Sequence, residues 1–218
     1  MQPNTTNTVA LFGGTFDPVH YGHLKPLLAL VKDFSLTKIH LMPNNQPPHK
    51  PAPQATATQR RDMLTLAIQY LPHFDIEESE LNHHKPAYTI DTLIKWRNTH
   101  AQSCSLAFIL GEDTLKTLDT WKHWQTLLSY CHLIVYPRPG LPDVAMSTAL
   151  RNWVDVHLTH DKSLLHHKPH GHVFIANTPL YPISATLIRQ RLSQGEPCDD
   201  LLPQSVLDYI KQHKLYQS

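Results

Sequence analysis

The sequence has few of the features that are typical of secreted or membrane-spanning proteins. It contains only three cysteines, Cys104, Cys131 and Cys198, and their spacing fits no metal-binding motif. They cannot all pair with one another, so we expect reduced, mostly buried thiols in a cytoplasmic protein. No apolar run approaches the length of a membrane span, and residues 1–8 lack the apolar core of a signal peptide. We therefore predict a soluble protein without a membrane partner.

The sequence also lacks an excess of charge of either sign. It has 19 Lys and Arg against 18 Asp and Glu, a formal net charge of +1. This balance gives no broad electrostatic reason to expect nucleic acid as a partner, although it allows a local basic pocket. Internal repeats and low-complexity tracts are absent as well. The 218 residues fit a single domain, 1–218, whose part from about residue 184 to 218 is expected to be helical.

Strand-like apolar runs alternate with amphipathic helical patterns along the whole chain. This alternation predicts an α/β protein with a Rossmann-like, doubly wound parallel sheet and right-handed crossovers. Local signals further predict that Thr58 and Thr89 are helix N-caps and that a helix covers residues 144–153.

The chain is organised around residues 9–23, which follow a strand, turn and helix pattern. The apolar residues 9–12 predict a buried strand, and Gly13-Gly14 allows a tight turn and close approach of a ligand to the main chain. The start of the following helix has unpaired N–H groups and a partial positive charge, which suit phosphate. His20 and His23 are three residues apart, so on one helical face they can bind a single anionic group together.

A second helix start, near Ser184, also has the composition of an anion site. Ser184 is a natural N-cap, and Gly195 is a natural residue to end the helix. Arg189 lies just over one turn into this helix, where a cation is unfavourable because the helix start is positive. A bound phosphate would offset this repulsion, so we predict that Arg189 contacts phosphate.

A proline-rich loop, residues 43–51, leaves the carboxyl end of the predicted second strand. Open α/β sheets bind ligands at this edge, so Asn44, His49 and Lys50 are predicted to face the same cleft as His20. Taken alone, the loop would be interpreted as a solvated segment, and its place beside the first motif favours the site.

Two later strands end in charged residues. Asp113 fits either a contact to a ribose hydroxyl or hydrated magnesium, or a helix N-cap. Arg138 could hold a phosphate bidentately. Trp121 and Trp124 are expected to pack in the core, but one of them could stack on a flat ring.

Six histidines lie between His157 and His172. Zinc has to be considered because histidine is a normal ligand, but the segment has no cysteine partners and no stable helical frame. We expect a solvated, variable insertion that is dispensable for chemistry.

Both ends of the chain resemble one superfamily. His20-Tyr21-Gly22-His23 after the glycine turn resembles the His-x-Gly-His signature of nucleotidyltransferases, and residues 183–189 resemble their Ile-Ser-x-x-x-Ile-Arg helix. The motifs between them fall in the order seen in bacterial nicotinate-nucleotide adenylyltransferases: Pro43-Asn44-Asn45 with Pro48-His49-Lys50, Ala87-Tyr88-Thr89, Gly111-Glu112-Asp113, Thr120-Trp121 and Arg138-Pro139-Gly140. The chain departs from that family at Ala87, often serine, and at Lys122, often aromatic.

The resemblance implies transfer of AMP from ATP to nicotinate mononucleotide, which gives deamido-NAD and pyrophosphate in NAD biosynthesis, with Mg²⁺ accompanying ATP. It places ATP at Gly13, Gly14, Thr15, Phe16, His20, His23, Ile183, Ser184 and Arg189, and makes His20 and His23 catalytic. It places the mononucleotide at Asn44, His49, Lys50, Tyr88, Thr89, Asp113, Trp121 and Arg138. No side chain is predicted to bind the metal directly. Main-chain N–H groups around residues 88–89 and 121–122 are expected to receive the nicotinate carboxylate.

Two other functions stay open at this point. One is a different transferase of the superfamily, such as pantetheine-phosphate adenylyltransferase. The other is a nucleotide-binding regulator without turnover, although the presence of His20, His23 and Arg189 gives no sign of lost catalysis. The sequence does not give the oligomeric state and is compatible with a homo-oligomer.

Overall fold

The computed structural model describes residues 7–44, 52–81, 88–138 and 144–217. Its centre is one six-stranded, all-parallel sheet with the strand order β3-β2-β1-β4-β5-β6. The strands are β1 (Thr8–Gly14), β2 (Lys38–Pro43), β3 (Phe74–Ile76), β4 (Ser105–Gly111), β5 (His132–Tyr136) and β6 (Val173–Ile175). The order reverses between β1 and β4, which is the arrangement of a doubly wound sheet. The predicted fold class is therefore confirmed.

Helices cover both faces of this sheet. They are α1 (Tyr21–Asp33), α2 (Ala57–Ile68), α3 (Thr89–Thr99), α4 (Glu112–Leu115), α5 (Thr148–His157), α6 (Leu164–His167), α7 (Ala185–Ser193) and α8 (Gln204–Gln212). Two 3-10 helices, Leu118–Thr120 and Trp124–Ser129, lie between β4 and β5. Among the described helices, none has the length and apolar character that crossing a bilayer requires.

Strand β1 is continuously apolar because it lies at the centre of the sheet and is covered on both sides. Leu11 packs in one core cluster, with Leu93 and other residues of the α3 side, and Phe12 packs in the other, with Leu27 of α1. A parallel strand that is buried on both faces is expected to be apolar at consecutive positions, not at every second position. This packing fixes the position of Gly13 and Gly14 at the carboxyl end of the strand.

Three of the predicted helix starts are wrong in detail. Helix α2 is capped by Thr56 rather than Thr58: the Thr56 hydroxyl accepts from the Gln59 N–H at 3.2 Å, and the Gln59 side chain accepts from the Thr56 N–H at 2.9 Å. This reciprocal capping box satisfies two amides, whereas a cap at Thr58 would satisfy one. Thr89 is the first residue of α3, and Tyr88 occupies the cap position.

The helix predicted at 144–153 instead spans Thr148–His157, because the Ser147 hydroxyl accepts from the Leu150 N–H and caps it there. The alternative role of Asp113 as an N-cap is also wrong, since Gly111 is the cap of α4. The cap at Ser184 is confirmed, and Gly195 ends α7 with a φ of +71°. The division into a single domain, 1–218, stays a prediction.

The histidine-dense segment, residues 157–172, is only in part the solvated insertion that the sequence predicted. Its histidines at 160, 167 and 170 are exposed, but it contains α6 and leads into β6. It also contacts the amino-terminal edge of the sheet, where the His166 ring and the Thr8 hydroxyl lie 2.8 Å apart and the His172 N–H donates to the His132 ring. Within the described residues, no group of three or more His, Cys, Asp or Glu side chains is placed to hold a metal ion.

Candidate active site

The carboxyl ends of β1, β2, β4 and β5 meet at one edge of the sheet, and the segments that follow them carry most of the predicted site residues. The tight turn predicted at Gly13-Gly14 lies slightly later: both glycines are the last residues of β1, and the chain turns at residues 15–18. We call residues 13–18 the glycine turn. A Cβ on Gly14 would lie 2.8 Å from the Phe16 ring, so any larger residue would displace this buried ring. Phe16 is buried with a φ of +50°, and the Asp17–Pro18 peptide bond is cis. The Asn44 N–H donates to the Gly14 carbonyl at 3.0 Å, which joins the end of β2 to this turn.

His20 and His23 lie together at the start of α1, as predicted. His20 occupies the N-cap position, and its carbonyl accepts from the N–H groups of His23 and Leu24. The two imidazole rings stack, with 3.8 Å between centroids and 25° between planes, and the Phe16 ring contacts His23 edge-on at 5.1 Å. This packing fixes both rings before any ligand arrives.

His20 is neutral at physiological pH. Its side chain is 1% exposed, and burial, with a further contribution from the Arg138 guanidinium, lowers its pKa to about 3. Its Nδ1 atom has no hydrogen-bond partner among the described residues. A neutral imidazole has one donor and one acceptor nitrogen. His20 can therefore donate one N–H to a phosphate oxygen while its ring stays uncharged.

Gly22 connects the first signature to the second, a role that the sequence reasoning did not give to this residue of the His-x-Gly-His motif. A Cβ on Gly22 would lie 2.6 Å from the Ile183 carbonyl oxygen and 2.9 Å from His20 Nδ1. The segment that leads into α7 therefore passes directly over α1. Ser184 caps α7 by accepting from the Leu187 N–H at 3.2 Å.

Arg189 reaches from α7 to the glycine turn. Its Nη1 donates to the Asp17 carbonyl at 2.7 Å and lies 3.9 Å from the Asp17 carboxylate. The side chain is 25% exposed, so it can still contact a ligand. The structure thus brings together the two helix starts that were predicted to bind phosphate.

Three residues that the sequence reasoning did not assign to the site support this turn: Asp17, Arg60 and Tyr216. The buried Asp17 carboxylate accepts from the N–H groups of Gln54 and Ala55 at 2.9 and 3.1 Å and from the Tyr216 hydroxyl at 2.7 Å. Buried Arg60 donates from Nη1 to the carbonyls of Thr15 and Asn44, both at 2.7 Å. The sequence did hold one signal for this role: Arg60 is a charged residue on the buried side of α2, three positions before Met63.

Asp113 and Arg138 form an ion pair at the ends of β4 and β5, with 3.6 Å between Nη1 and Oδ2. Gly111 allows them to approach the main chain, because a Cβ there would lie 2.4 Å from Arg138 Cδ and from Asp113 Oδ1. Asp113 Oδ1 and Asn44 Oδ1 are buried and have no hydrogen-bond partner among the described residues. Buried polar atoms without partners are costly, so these oxygens, like His20 Nδ1, are candidates for a hydrogen bond from a ligand or a water.

The residues predicted near the nicotinate ring also come together. The Lys122 ammonium lies 4.7 Å above the Tyr88 ring and 3.2 Å from the Asp91 carboxylate, which joins the start of α3 to the segment after the first 3-10 helix. Trp121 contacts Phe108 edge-on at 6.2 Å. The main-chain N–H of Trp121 donates to the Leu118 carbonyl at 3.0 Å. It is therefore not one of the main-chain donors expected for the nicotinate carboxylate.

Three predicted positions, His49, Lys50 and Ala87, lie outside the described residues. Of the remaining predicted site residues, Gly13 lies at the end of β1, and Thr15 contributes its carbonyl to Arg60. Thr89 is the first residue of α3, where the main-chain N–H groups have no partner within the helix.

Comparisons with known proteins agree with this arrangement. A model of the cytidylyltransferase-like family matches residues 11–191. A curated protein of Klebsiella pneumoniae (strain 342), named a probable nicotinate-nucleotide adenylyltransferase, is 50% identical over 211 residues, which cover 97% of this chain and 98% of that protein. The nicotinate-nucleotide adenylyltransferase of Escherichia coli O157:H7 is 50% identical over 208 residues, 95% of this chain and 98% of that protein.

The chain belongs to the nicotinate-nucleotide adenylyltransferase family. Its fold is also that of a solved structure, the Plasmodium falciparum nicotinic acid mononucleotide adenylyltransferase complexed with APC. The TM-score is 0.72 at 18% identity, with 96% of this chain and 97% of that chain covered. The resemblance read from the sequence motifs is confirmed by this family membership.

Proposed function

We propose that this member of the nicotinate-nucleotide adenylyltransferase family transfers AMP from ATP to nicotinate mononucleotide and releases pyrophosphate. The observation that carries the proposal is the stacked His20–His23 pair, held beside Arg189 at the glycine turn, with His20 Nδ1 buried and without a partner among the described residues. The 50% identity to the curated relatives supports the choice of acceptor.

The reaction is a displacement at the α-phosphorus of ATP. An oxygen of the mononucleotide phosphate forms the new bond to phosphorus, and the bond to the bridging oxygen breaks, so that pyrophosphate leaves with the electron pair. The second pKa of a phosphate monoester is ~6, so the attacking group is largely a dianion at neutral pH and needs no general base. The protein therefore acts by alignment and by stabilising charge on the phosphates.

We assign the ATP phosphates to the first half of the site. His20 and His23 donate hydrogen bonds to the triphosphate, and the start of α1 contributes its N–H groups. Arg189 adds a positive charge from the start of α7, where a phosphate also relieves the unfavourable position of the cation. Thr15, Phe16, Ile183 and Ser184 shape the surrounding main chain.

We assign the mononucleotide to the second half. Arg138 is the phosphate partner, Asn44 Oδ1 and Asp113 face the ribose region, and Tyr88, Thr89 and Trp121 frame the nicotinate ring. His49 and Lys50 are part of this proposal on the strength of the sequence.

Magnesium fits this site through water rather than through a direct protein ligand. Asp113 Oδ1 is a buried carboxylate oxygen without a hydrogen-bond partner in the described residues, and Mg²⁺ prefers oxygen ligands and keeps several waters. When bound with ATP, Mg²⁺ would neutralise charge on the leaving pyrophosphate. We further propose that the protein acts in the cytoplasm, on the basis of its three unpaired cysteines.

The test is pyrophosphate release with ATP, Mg²⁺ and one acceptor at a time: nicotinate mononucleotide, nicotinamide mononucleotide or phosphopantetheine. We expect the highest kcat/KM with nicotinate mononucleotide, and no release from a His20→Ala control above about a hundredth of the wild-type rate. Turnover mainly with phosphopantetheine would identify a different transferase. ATP binding without pyrophosphate release for any acceptor would indicate a regulator instead.

A further inference from the structure

Tyr216 connects the segment after α8 to the glycine turn. Its side chain is 8% exposed, its φ is +60°, and its hydroxyl donates to Asp17 Oδ1 at 2.7 Å. The two residues are 199 positions apart in the sequence. A left-handed backbone at a bulky aromatic residue is uncommon, so the surrounding packing holds this side chain in place against its local preference.

Asp17 is the point where four segments of the chain meet. Its carboxylate accepts the N–H groups of Gln54 and Ala55 from the segment before α2, and the Tyr216 hydroxyl from the segment after α8. Its own carbonyl accepts from Arg189 of α7. The carboxylate therefore fixes the peptide unit that, in turn, fixes the Arg189 guanidinium.

The charges around Asp17 favour this arrangement. Arg189 lies 3.9 Å from Oδ2, and burial lowers the pKa of Arg60 while the charge of Asp17 opposes this change. Burial, followed by the charge of Asp17 and its hydrogen bond, raises the pKa of the Tyr216 hydroxyl, so this group remains a donor at every physiological pH. A hydrogen bond from a neutral hydroxyl to a charged acceptor is among the stronger ones in proteins.

We propose that Tyr216 is a positioning residue for the triphosphate: its hydroxyl holds Asp17 so that the glycine turn and Arg189 keep the geometry that binds ATP. The inference rests on the proposed function, because that assigns the ATP phosphates to this turn. Tyr216 does not contact the substrate in this proposal. It acts through Asp17, whose carbonyl orients Arg189 and whose backbone continues into His20.

The test is the Tyr216→Phe variant, which removes one hydroxyl and keeps the buried ring. Losing a hydrogen bond to a charged group typically costs a factor of about 10 or more in the equilibrium that it supports. We expect the KM for ATP to rise about 10-fold, because the Asp17 carbonyl orients Arg189. The KM for nicotinate mononucleotide should stay within about 2-fold of wild type, because the Gln54 and Ala55 N–H groups still hold the Asp17 carboxylate on the side of the proline-rich loop.

The chain offers a matched control in Tyr209→Phe. The Tyr209 hydroxyl also joins the carboxyl-terminal part of the protein to an aspartate, donating to Asp62 of α2 at 3.2 Å, but it does so away from the glycine turn. We expect this variant to keep both KM values. A melting curve for each variant shows whether the protein is folded at the assay temperature, and kinetics are compared only below both transitions.

Binding of a non-hydrolysable ATP analogue, measured by calorimetry, separates this inference from the proposed function. If the wild type turns over no acceptor but Tyr216→Phe binds the analogue about 10-fold more weakly, the proposed reaction is wrong and the positioning role stands. If Tyr216→Phe and Tyr209→Phe bind the analogue as tightly as wild type, the hydroxyl only stabilises the fold and the inference is wrong.

Discussion

The carbonyl oxygen of Ile183 occupies the space in which a side chain on Gly22 would begin, 2.6 Å from the position of its Cβ. This contact brings the two signature segments together, because Gly22 stands between His20 and His23 and Ile183 directly precedes the cap of α7. It gives a physical reason for glycine between the histidines that is independent of any ligand.

Gly22→Ala is therefore expected to damage the site as well as the fold. The added methyl group would displace backbone, and overpacking of this kind costs about 1–3 kcal/mol of the free energy of unfolding. Because the displaced segment carries Ser184 and Arg189, we expect the KM for ATP to rise as well. Urea unfolding and steady-state kinetics measure the two effects.

The control for this change is Gly195→Ala, which is strained by a φ of +71° but has no atom within 4 Å of its Cβ position. It is expected to lose about 1 kcal/mol of stability with normal kinetics. Equal kinetics for both variants would contradict the link between Gly22 and the ATP site.

His20→Ala and His23→Ala are each expected to lower turnover by about 10²–10³, the usual effect of losing one donor to developing charge. Mononucleotide binding should change far less, since the two rings face the triphosphate in the proposed arrangement. Single-turnover rates and equilibrium binding of nicotinate mononucleotide would distinguish these effects. Near-normal turnover in either variant would remove that histidine from the mechanism.

His132 predicts how stability depends on pH. It is fully buried, and because its Nδ1 accepts from the His172 N–H, its Nε2 carries the proton and donates to the Lys168 carbonyl at 3.0 Å. Burial lowers its pKa to about 4, with further contributions from His172, His170 and Arg97, against the Lys168 hydrogen bond. In the unfolded chain His132 takes up a proton near pH ~6.5, whereas in the folded protein it does so only near pH 4. The contribution of neutral His132 to the free energy of unfolding is therefore complete above pH ~6.5 and is lost as the pH falls toward 4.

Between pH 7 and pH 5 the low pKa of His132 should therefore decrease the free energy of unfolding of the wild type by about 1–2 kcal/mol. His132→Gln should show a shallower decrease, and the exposed His160→Gln should keep the wild-type decrease. Urea titrations at several pH values give the measurement. An unchanged pH dependence in His132→Gln would show that folding does not lower the pKa of His132.

The acceptor is expected to be the acid, nicotinate mononucleotide, rather than its amide. The start of α3 presents main-chain N–H groups at Thr89, and the Lys122 ammonium lies beside it over the Tyr88 ring. Both features favour a carboxylate, which only accepts hydrogen bonds, whereas the amide would turn an N–H₂ group toward a donor. Preferences of this kind reach as much as about 10⁴ in kcat/KM.

A competition between the two mononucleotides at the same ATP and Mg²⁺ concentrations measures this preference. Equal specificity constants would contradict the assignment of nicotinate but leave adenylyl transfer intact.

Local signals in the sequence were sufficient for the framework of the site. The apolar run before Gly13 and the Ser184 cap each depend on neighbouring residues, so strand β1 and helix α7 were predicted correctly. The predicted start of helix α5 was several residues too early, because the Ser147 hydroxyl accepts from the Leu150 N–H and caps the helix there. Register and capping are decided by small differences in energy, which a pattern of apolar residues does not contain.

The supporting contacts of the site could not be predicted in the same way. Nothing near Tyr216 indicates that its hydroxyl reaches Asp17, and nothing near Arg60 names the carbonyls of Thr15 and Asn44 as its partners. These contacts follow from the crossing of segments that are far apart in the chain. The histidine-dense segment shows the same limitation, because its composition suggested solvent while its packing against β5 is set by the sheet.

The hydrogen bond from Arg189 to the Asp17 carbonyl joins residues 172 positions apart. Helix α7 therefore cannot move away locally without also breaking this contact with the glycine turn. We therefore expect the amides at the start of α1 and those of α7 to exchange as one cooperative opening unit, although they are far apart in the chain. A nucleotide that binds across this contact would slow exchange in both helices together.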